Sequence, residues 1–207
     1  MKVLVVGAAG KTGRAVVEQA VKAGHEVTAF LHSDTGYDIP GVAVRVGDAT
    51  DASMVQAAVT GHDAVIDTVA GKTPYRHTTL ETRVAAAVVA AMQHHSSRRL
   101  VVTSLLGEGD SIANTTFPLK ILLATFLRGA KPDKAGMESA VRGSGLDWVI
   151  TRPPVLTDKP AIGGVRVFAT DSREQAHSIT RADLAAFLVA QLSSDEHLGK
   201  AVVVANR

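Results

Sequence analysis

Short, almost wholly apolar runs alternate along the chain with longer, alanine-rich stretches. Val3–Val6 and Ala64–Thr68 are examples of the apolar runs, and Thr79–Gln93 is an example of the alanine-rich ones. Strands in which nearly every residue is apolar, rather than every second one, are typical of a parallel sheet covered on both faces. The alternation therefore predicts βαβ units and a doubly wound α/β fold with a parallel sheet.

The same pattern predicts the individual elements. The predicted strands are Val3–Val6, Glu26–Leu31, Val42–Val46, Ala64–Thr68, Leu100–Thr103, Leu146–Ile150, Val165–Ala169 and Ala201–Val204. The predicted helices are Thr12–Lys22, Met54–Val59, Thr79–Gln93, Phe117–Leu127, Lys134–Val141 and Ala182–Leu192, the last with Thr180 and Asp183 as an approximate capping box.

No repeat, low-complexity segment or linker divides the 207 residues, so we expect one domain over residues 1–207. Its smaller C-terminal part is expected on the substrate side, with pocket segments at about residues 105–130 and 153–180. Leu119–Leu127 is an apolar helical stretch inside the first segment. We expect it to fill core, although walling the pocket or contacting a second subunit are the alternatives.

A glycine-rich turn, residues 7–13 with the sequence GAAGKTG, joins the first predicted strand to the first helix. Gly7 permits a tight exit from the strand, Gly10 lets the main chain approach a pyrophosphate, and Gly13 allows close packing of the helix on the sheet. Glycine triplets also occur in ordinary strand–helix turns. Here the triplet follows a buried strand and opens a βαβ unit, which favours a Rossmann-like dinucleotide site.

Side chains of the turn add to this hypothesis. The unpaired N–H groups of the first helical turn favour an anion there. Thr12 offers a hydroxyl donor, and Lys11 or Arg14 offers a positive charge.

The end of the second predicted strand bears on the choice of coenzyme. Enzymes that use NAD usually carry Asp or Glu there, whereas this strand ends in His32-Ser33. A carboxylate would repel a 2′-phosphate, so its absence favours NADP(H), with His32, Ser33 and Lys11 as candidate phosphate ligands. Asp34 follows directly, and NAD(H) therefore stays possible.

Two further segments follow predicted strands. Asp48-Ala49 comes after the third strand, where a carboxylate can accept a hydrogen bond from an adenine amino group. Alternatively, Asp48 only opens the turn into a helix that Thr50 or Asp51 caps. After the fourth strand, the small residues Val69-Ala70-Gly71 allow the chain to pass close to a ribose.

Taken together, the chain resembles the NmrA-like atypical short-chain dehydrogenase/reductases, and within them the NAD(P)H-binding subgroup similar to biliverdin reductase B, a flavin reductase. The resemblance covers nearly the whole length. Its motifs are Gly7–Gly13, Gly24–Thr28, Gly47-Asp48, Gly61–Ile66, Thr103-Ser104, Gly145–Trp148, Arg152–Pro154 and Thr180–Leu184.

The resemblance implies that the glycine turn holds the pyrophosphate and that Asp48-Ala49 lies at the adenine. It also implies that Ser104 and Pro153 lie near the nicotinamide, and we count Thr103, next to Ser104, among the cofactor-binding residues. The chain departs from its relatives at two positions. Ala9, in the turn, stands where they commonly have Thr, and His32 stands where they commonly have Arg.

The proton donor of typical short-chain dehydrogenases, a tyrosine with a lysine four residues later, is missing. The chain's only tyrosines are Tyr37 and Tyr75, and Gly41 and Thr79 follow them at that spacing. Ordinary alcohol–ketone interconversion is therefore poorly supported. We expect hydride transfer from NAD(P)H to a conjugated acceptor such as a flavin or quinone, with catalysis by proximity and orientation.

Ser104 is the candidate catalytic residue, because it ends a central strand. It could hydrogen-bond an acceptor carbonyl or the nicotinamide amide, or it could merely cap the strand. The alternative function is that of a non-catalytic, redox-sensing regulator, as in some NmrA-like proteins. The sequence offers little C-terminal length for a partner-binding region, which favours the reductase.

Composition narrows the remaining classes. The chain has no cysteine, which excludes disulfides and thiolate sites, and no metal site is expected. The net charge is +2 with scattered basic residues, so we expect no nucleic-acid partner. No apolar run is long enough for a membrane span, and Met1-Lys2 leads directly into a strand rather than a signal peptide. We expect a cytoplasmic monomer or homodimer.

Overall fold

One eight-stranded sheet organises the part of the chain that the computed structural model describes, residues 1–33, 36–71, 75–95, 97–168 and 174–206. The strands are β1 (Lys2–Val6), β2 (Glu26–Leu31), β3 (Ala43–Val46), β4 (Ala64–Asp67), β5 (Arg99–Thr103), β6 (Asp147–Arg152), β7 (Val155–Thr157), β8 (Val165–Phe168), β9 (Ser178–Thr180) and β10 (Lys200–Asn206). The helices are α1 (Lys11–Lys22), α2 (Ala52–Val59), α3 (Leu80–His94), α4 (Phe117–Ala124), α5 (Ala130–Arg142) and α6 (Arg181–Ala190).

The strand order, β3-β2-β1-β4-β5-β6-β10-β8, confirms the doubly wound Rossmann-like fold. Neighbouring strands from β3 to β10 run parallel. At one edge the sheet departs from this parallel arrangement, because β8 pairs antiparallel with β10. The strand order reverses between β1 and β4, because β2 and β3 are added on one side of β1 and the later strands on the other. α/β folds bind ligands at the carboxyl ends of the strands beside such a switch point.

Two apolar layers cover the sheet. Along β1, Val3 and Val5 belong to the layer that includes α1 and α6, while Leu4 and Val6 belong to the layer that includes α2, α3 and α5. Successive strand residues point to opposite faces, so a strand buried on both faces must be apolar throughout. That requirement explains why the short apolar runs identified the strands.

The predicted and observed elements differ mainly where the elements are short. The three-residue strands β7 and β9 form a separate parallel pair that the sequence did not predict. Thr180 caps α6 through a bond from the N–H of Asp183, but its own N–H donates to Asn206, so only half of the capping box forms. Ala169, the predicted end of β8, and the rest of residues 169–173 lie outside the described residues.

The helix α4 is shorter than predicted and only partly buried. Leu119 and Leu123 pack into a third apolar cluster together with Leu106. Ile121, Leu122 and Phe126 remain exposed, so the expectation that this stretch fills core is wrong for these three residues. Within the described ranges, no helix combines the length and the apolar character needed to cross a membrane.

A carboxylate on α5 completes the start of α3. Thr79, the residue before α3, makes no side-chain capping bond. Instead, Asp133 accepts hydrogen bonds from the N–H groups of Glu81 at 3.1 Å and Thr82 at 2.8 Å. Gly136 permits the close contact, because a Cβ there would lie 2.3 Å from the Thr82 hydroxyl. The two helices are thereby joined beside the carboxyl edge of the sheet.

We predict that Asp133→Ala lowers the free energy of unfolding by about 2–3 kcal/mol, because one buried and one partly buried N–H group lose their acceptor. Urea unfolding monitored by circular dichroism measures the change. Asp195→Ala is the matched control, since the Asp195 side chain is 77% exposed and, among the described residues, its carboxylate pairs with Arg99 alone. We expect that control to change stability by less than about 1 kcal/mol. Equal effects of the two substitutions would contradict the capping role.

Candidate functional site

The glycine turn brings the start of α1 against the ends of β1 and β4. Gly7 has a φ of +77°, and a Cβ there would lie 2.9 Å from the main-chain nitrogen of Val69. A Cβ on Gly13 would lie 2.3 Å from the Gly7 carbonyl oxygen. Only glycine fits these two contacts, which agrees with the roles that the spacing predicts for Gly7 and Gly13.

The first turn of α1 carries no competing negative charge. Gly10 precedes the helix and has no side chain to cap it, and the first turn contains no acidic residue. The Lys11 ammonium, however, lies 2.8 Å from the Asp158 carboxylate, and both side chains are largely exposed. The positive charge expected from Lys11 is therefore already paired, and the uncapped N–H groups are the main feature that favours an anion here.

A cavity of about 280 Å³ opens beside this turn, at the carboxyl ends of β4, β5 and β6. It brings together seven residues that the sequence identified as site residues: Thr12, Val69, Ala70, Gly71, Thr103, Ser104 and Pro153. Its other lining residues are Thr68, Glu81, Leu105, Leu127, Ala130, Lys134, Pro154 and Leu156. The volume lies near the lower end of the range of small-molecule pockets, so the cavity encloses part of a ligand rather than a whole dinucleotide.

The other predicted residues lie outside the cavity. Gly7, Ala9, Gly10, Lys11 and Gly13 form the turn itself. His32 and Ser33 are exposed where β2 ends, and the N–H of Gly47 donates to Leu31, which brings Asp48-Ala49 beside them. Asp34 lies outside the described residues.

Asp48 organises its own turn. One of its carboxylate oxygens accepts hydrogen bonds from the N–H and the hydroxyl of Thr50, both at 2.8 Å, and these bonds hold the pKa of Asp48 below its usual value. Asp51, not Asp48, caps α2 by accepting from Ser53 and Met54. Asp48 thus opens the turn before α2, which was the alternative to an adenine contact. Its carboxylate remains ionised and exposed at the edge of the sheet.

Sequence reasoning missed a buried lysine in the cavity wall. The Lys134 ammonium forms an ion pair with Glu81 and donates a hydrogen bond to the carbonyl of Thr103 at 3.0 Å. Ala130 lies one helical turn earlier and also lines the cavity, and neither Tyr37 nor Tyr75 does. Ala130 and Lys134 therefore have the spacing of a Tyr-x-x-x-Lys pair, with an alanine in the place of the tyrosine. A search that began from tyrosines could not find it, although a lysine in line with Met137 and Val141 was a visible anomaly.

The predicted catalytic serine belongs to a buried ionic network that the sequence also did not reveal. The Ser104 hydroxyl donates to Glu138 at 2.6 Å, and Arg152 donates to both oxygens of that carboxylate, at 2.9 and 2.7 Å. Arg152 also pairs with Asp110. These partners are distant from Ser104 in sequence, and only the packing of α5 against the sheet brings them together.

Asp67, at the end of β4, is a second unusual group near the cavity. Its side chain is buried, and burial raises its pKa to about 7, despite a bond from the N–H of Val69 and the charge of Lys134. The negative charge of Glu81 adds to the increase. The folded protein therefore holds a proton on Asp67 that the unfolded chain releases above about pH 4.

We predict a pH-dependent penalty from Asp67. Since the folded-state pKa lies above the unfolded one, Asp67 costs no stability below about pH 4, and its penalty grows as the pH rises from about 4 to about 7. Asp67→Asn keeps the acceptor for Val69 without the charge. From pH 5 to pH 8, the free energy of unfolding of this variant rises by about 3 kcal/mol relative to that of the wild type, as measured by urea unfolding. In the same pH series, the free energy of unfolding of Asp195→Ala should change with pH as that of the wild type does. If Asp67 titrated normally, Asp67→Asn would also follow the wild type.

Comparison with known proteins gives the site its context. ChuY, an anaerobilin reductase from Escherichia coli O157:H7, is 26% identical with a TM-score of 0.81, over 100% of this chain and 97% of ChuY. SP1627 of Streptococcus pneumoniae TIGR4, a candidate NADH-flavin reductase, is 22% identical with a TM-score of 0.79, over 100% of both chains. A short-chain dehydrogenase/reductase from Veillonella parvula DSM 2008, solved in complex with NADP, is 16% identical with a TM-score of 0.78, over 99% of this chain and 94% of that one.

A family model extends the comparison to the sequence. The model, described as NAD(P)H-binding, matches residues 7–195, which begin at the first glycine of the turn and include every residue that lines the cavity. The chain belongs to this NAD(P)H-binding family.

Proposed function

We propose that the protein is an NAD(P)H-dependent reductase that transfers hydride to a planar, conjugated acceptor such as a flavin or quinone, without a tyrosine proton donor. The observation that carries this proposal is the cavity wall at Ala130 and Lys134. The wall retains the buried lysine but has a methyl group where the phenol of a Tyr-x-x-x-Lys pair would stand.

The cofactor is proposed to lie along the carboxyl edge of the sheet. The turn Gly7–Gly13 and the first N–H groups of α1 would hold the pyrophosphate, and Asp48-Ala49 would contact the adenine. Residues 69–71, Thr103 and Pro153 would contact the nicotinamide half, and bound NAD(P)H would supply the hydride. The surrounding side chains hold reactants in place, which by itself supplies a large part of the rate enhancement.

NADP(H) is the proposed preference over NAD(H). Among the described residues, the end of β2 presents His32 and Ser33 and no carboxylate. Arg14 is already engaged, because it stacks on Tyr37 with 5.4 Å between its guanidinium carbon and the ring centre and pairs with Glu18 at 3.3 Å. The Ser33 hydroxyl and the His32 imidazole are the groups that support binding of a 2′-phosphate.

Hydride addition to a conjugated ring leaves a delocalised anion, to which water can later donate the proton. The Lys134 ammonium, which Glu81 and the Thr103 carbonyl hold in place, would donate a hydrogen bond to such a charge. An ammonium has three N–H donors, and these two contacts use two of them. We propose that the third reaches an oxygen of the cofactor or acceptor.

The apolar wall supports a flat acceptor. Leu105, Leu127, Pro154 and Leu156 are apolar residues that line the cavity. Next along the chain from Leu127, Phe126 packs its exposed ring against Tyr75 at 5.8 Å between ring centres. Anaerobilin and flavin, named for two of the structural neighbours, are conjugated acceptors of the kind that such a surface suits.

The decisive experiment is a turnover assay that follows NADPH absorbance at 340 nm. We expect oxidation of NADPH in the presence of riboflavin or menadione, and none with simple ketones or aldehydes. Repeating the assay with NADH should give a kcat/KM lower by about tenfold or more, the loss of a charge-assisted phosphate contact. Binding of NADPH without oxidation by any conjugated acceptor would favour the regulator instead.

We further predict that Gly10→Ala weakens NADP binding at least tenfold, because a methyl group at this exposed main-chain position intrudes on the pyrophosphate. Gly10 has ordinary backbone angles, and the added Cβ would lie 3.3 Å from the Gly7 carbonyl oxygen. The expected loss of stability is therefore only about 1 kcal/mol. Calorimetric titration measures the affinity.

Gly143→Ala, at the end of α5, is the control for Gly10→Ala. Its Cβ would make an ordinary 3.5 Å contact with Ser139, and it lies outside the cavity lining. This control should bind NADP as the wild type does. Unchanged affinity in Gly10→Ala would place the pyrophosphate elsewhere.

A further inference from the structure

Ser104 has a hydroxyl group whose hydrogen is already committed. The hydroxyl donates to Glu138 over 2.6 Å in a region where the Glu138 and Arg152 side chains are only 5% and 2% exposed. A hydroxyl has one hydrogen to donate and two lone pairs with which to accept. The direction of this bond therefore decides what Ser104 can offer to a ligand.

The direction follows from the ionisation of Glu138. Burial opposes ionisation of this group, but bonds from Arg152 and Ser104 and the charges of Arg152 and Arg142 outweigh it and keep its pKa below the usual value. A carboxylate is only an acceptor, so the serine must be the donor. Arg152 is itself fixed by Asp110, which holds the pair in place.

Ser104 also lines the cavity, where its oxygen can only accept. We propose that Ser104 accepts a hydrogen bond from an N–H group of the bound ligand, either the carboxamide of the nicotinamide or an N–H of the acceptor, and that Glu138 and Arg152 impose this polarity. The inference rests on the proposed function and adds a selection rule to it. A carbonyl oxygen facing Ser104 would meet another acceptor and be disfavoured.

This polarity decides between the two ligand contacts that the sequence left open for Ser104. Donation to an acceptor carbonyl would require the hydroxyl to leave an ionised, buried carboxylate, which would then lose one of its hydrogen bonds. Acceptance from an amide requires no rearrangement. Ser104 is thus a specificity-determining residue, and Glu138 and Arg152 are positioning residues that act through it.

A binding cycle, which compares two ligands on the wild type and a variant, tests the contact with the nicotinamide carboxamide without any turnover. The ligands are NADP and its 3-acetylpyridine analogue, in which a methyl group replaces the amide NH2 and the carbonyl stays. If the carboxamide is the partner, wild-type protein prefers NADP about five- to tenfold by calorimetry, the effect of one hydrogen bond, and Ser104→Ala loses that preference. A chain that binds both ligands but oxidises no NADPH would overturn the proposed function while leaving this comparison readable.

A second binding cycle tests the contact with an N–H group of the acceptor. Lumiflavin carries an N3–H group, and 3-methyllumiflavin has a methyl group in its place. Their dissociation constants, from fluorescence quenching in the presence of NADP, are compared for the wild type and Ser104→Ala. If the N–H partner belongs to the acceptor, the wild type prefers lumiflavin by a similar factor and the variant does not.

Ser139→Ala is the matched control, because it removes a serine hydroxyl from the exposed side of α5 next to Glu138. It should keep the wild-type preferences in both cycles. Should Ser104→Ala fail to fold, Ser104→Cys replaces the oxygen by a much weaker acceptor of similar shape and carries the same expectation.

The outcomes separate cleanly. Loss of preference in the first cycle identifies the carboxamide as the partner, and loss in the second identifies the acceptor. A Ser104 with a purely structural role would lower the melting temperature and change the affinity of each ligand pair equally. That equal change in both cycles, or no change in either, overturns the proposal.

Discussion

The close approach of Gly13 to the carbonyl of Gly7 fixes the geometry on which the rest of the site depends. With a Cβ-to-oxygen distance of only 2.3 Å for any larger residue, the start of α1 could not lie directly above the end of β1. The same turn contacts β4 through Val69. The uncapped N–H groups of α1 and the ends of two central strands are therefore brought to one edge by main-chain contacts alone.

A second organising element is α5, which carries three buried charged residues in little more than one turn. Asp133 completes the start of α3, Lys134 reaches the cavity wall, and Glu138 binds Ser104 and Arg152. Buried charges are tolerated only when each has a partner, so the helix can sit in just one rotation and register against α3 and the sheet. The same contacts that fix this helix also shape the cavity.

The pattern of apolar runs was sufficient to predict the parallel core, because strands buried on both faces leave an unmistakable signature. It was insufficient for β7 and β9, whose three residues are too few to show any periodicity. It also gave no direction for β8, since pairing with β10 depends on a loop path rather than on composition. The apolar helix α4 shows the converse limit, because hydrophobicity does not tell whether a side chain faces core or solvent.

The site residues show the same difference between what a local pattern predicts and what depends on packing between distant segments. The cavity position of residues at or just after strand ends, such as Thr103 and Val69, could be predicted because parallel strands place their ends at one edge. Lys134, Glu81 and Glu138 could not, because their roles depend on partners brought near by helix packing. Motif reasoning looked for a tyrosine and so passed over the lysine whose partner position holds Ala130.

Charge pairing around the cavity explains why glycine spacing was the more informative feature. Lys11 pairs with Asp158, Lys134 with Glu81, and Arg152 with Glu138, so each of these three cations is compensated before any ligand arrives. An anionic ligand gains little from charges that are already paired, and those pairs are weakened if it competes for them. Under the proposed function, affinity for a pyrophosphate at this edge comes from oriented main-chain dipoles, whose placement depends on the absence of side chains at Gly7, Gly10 and Gly13.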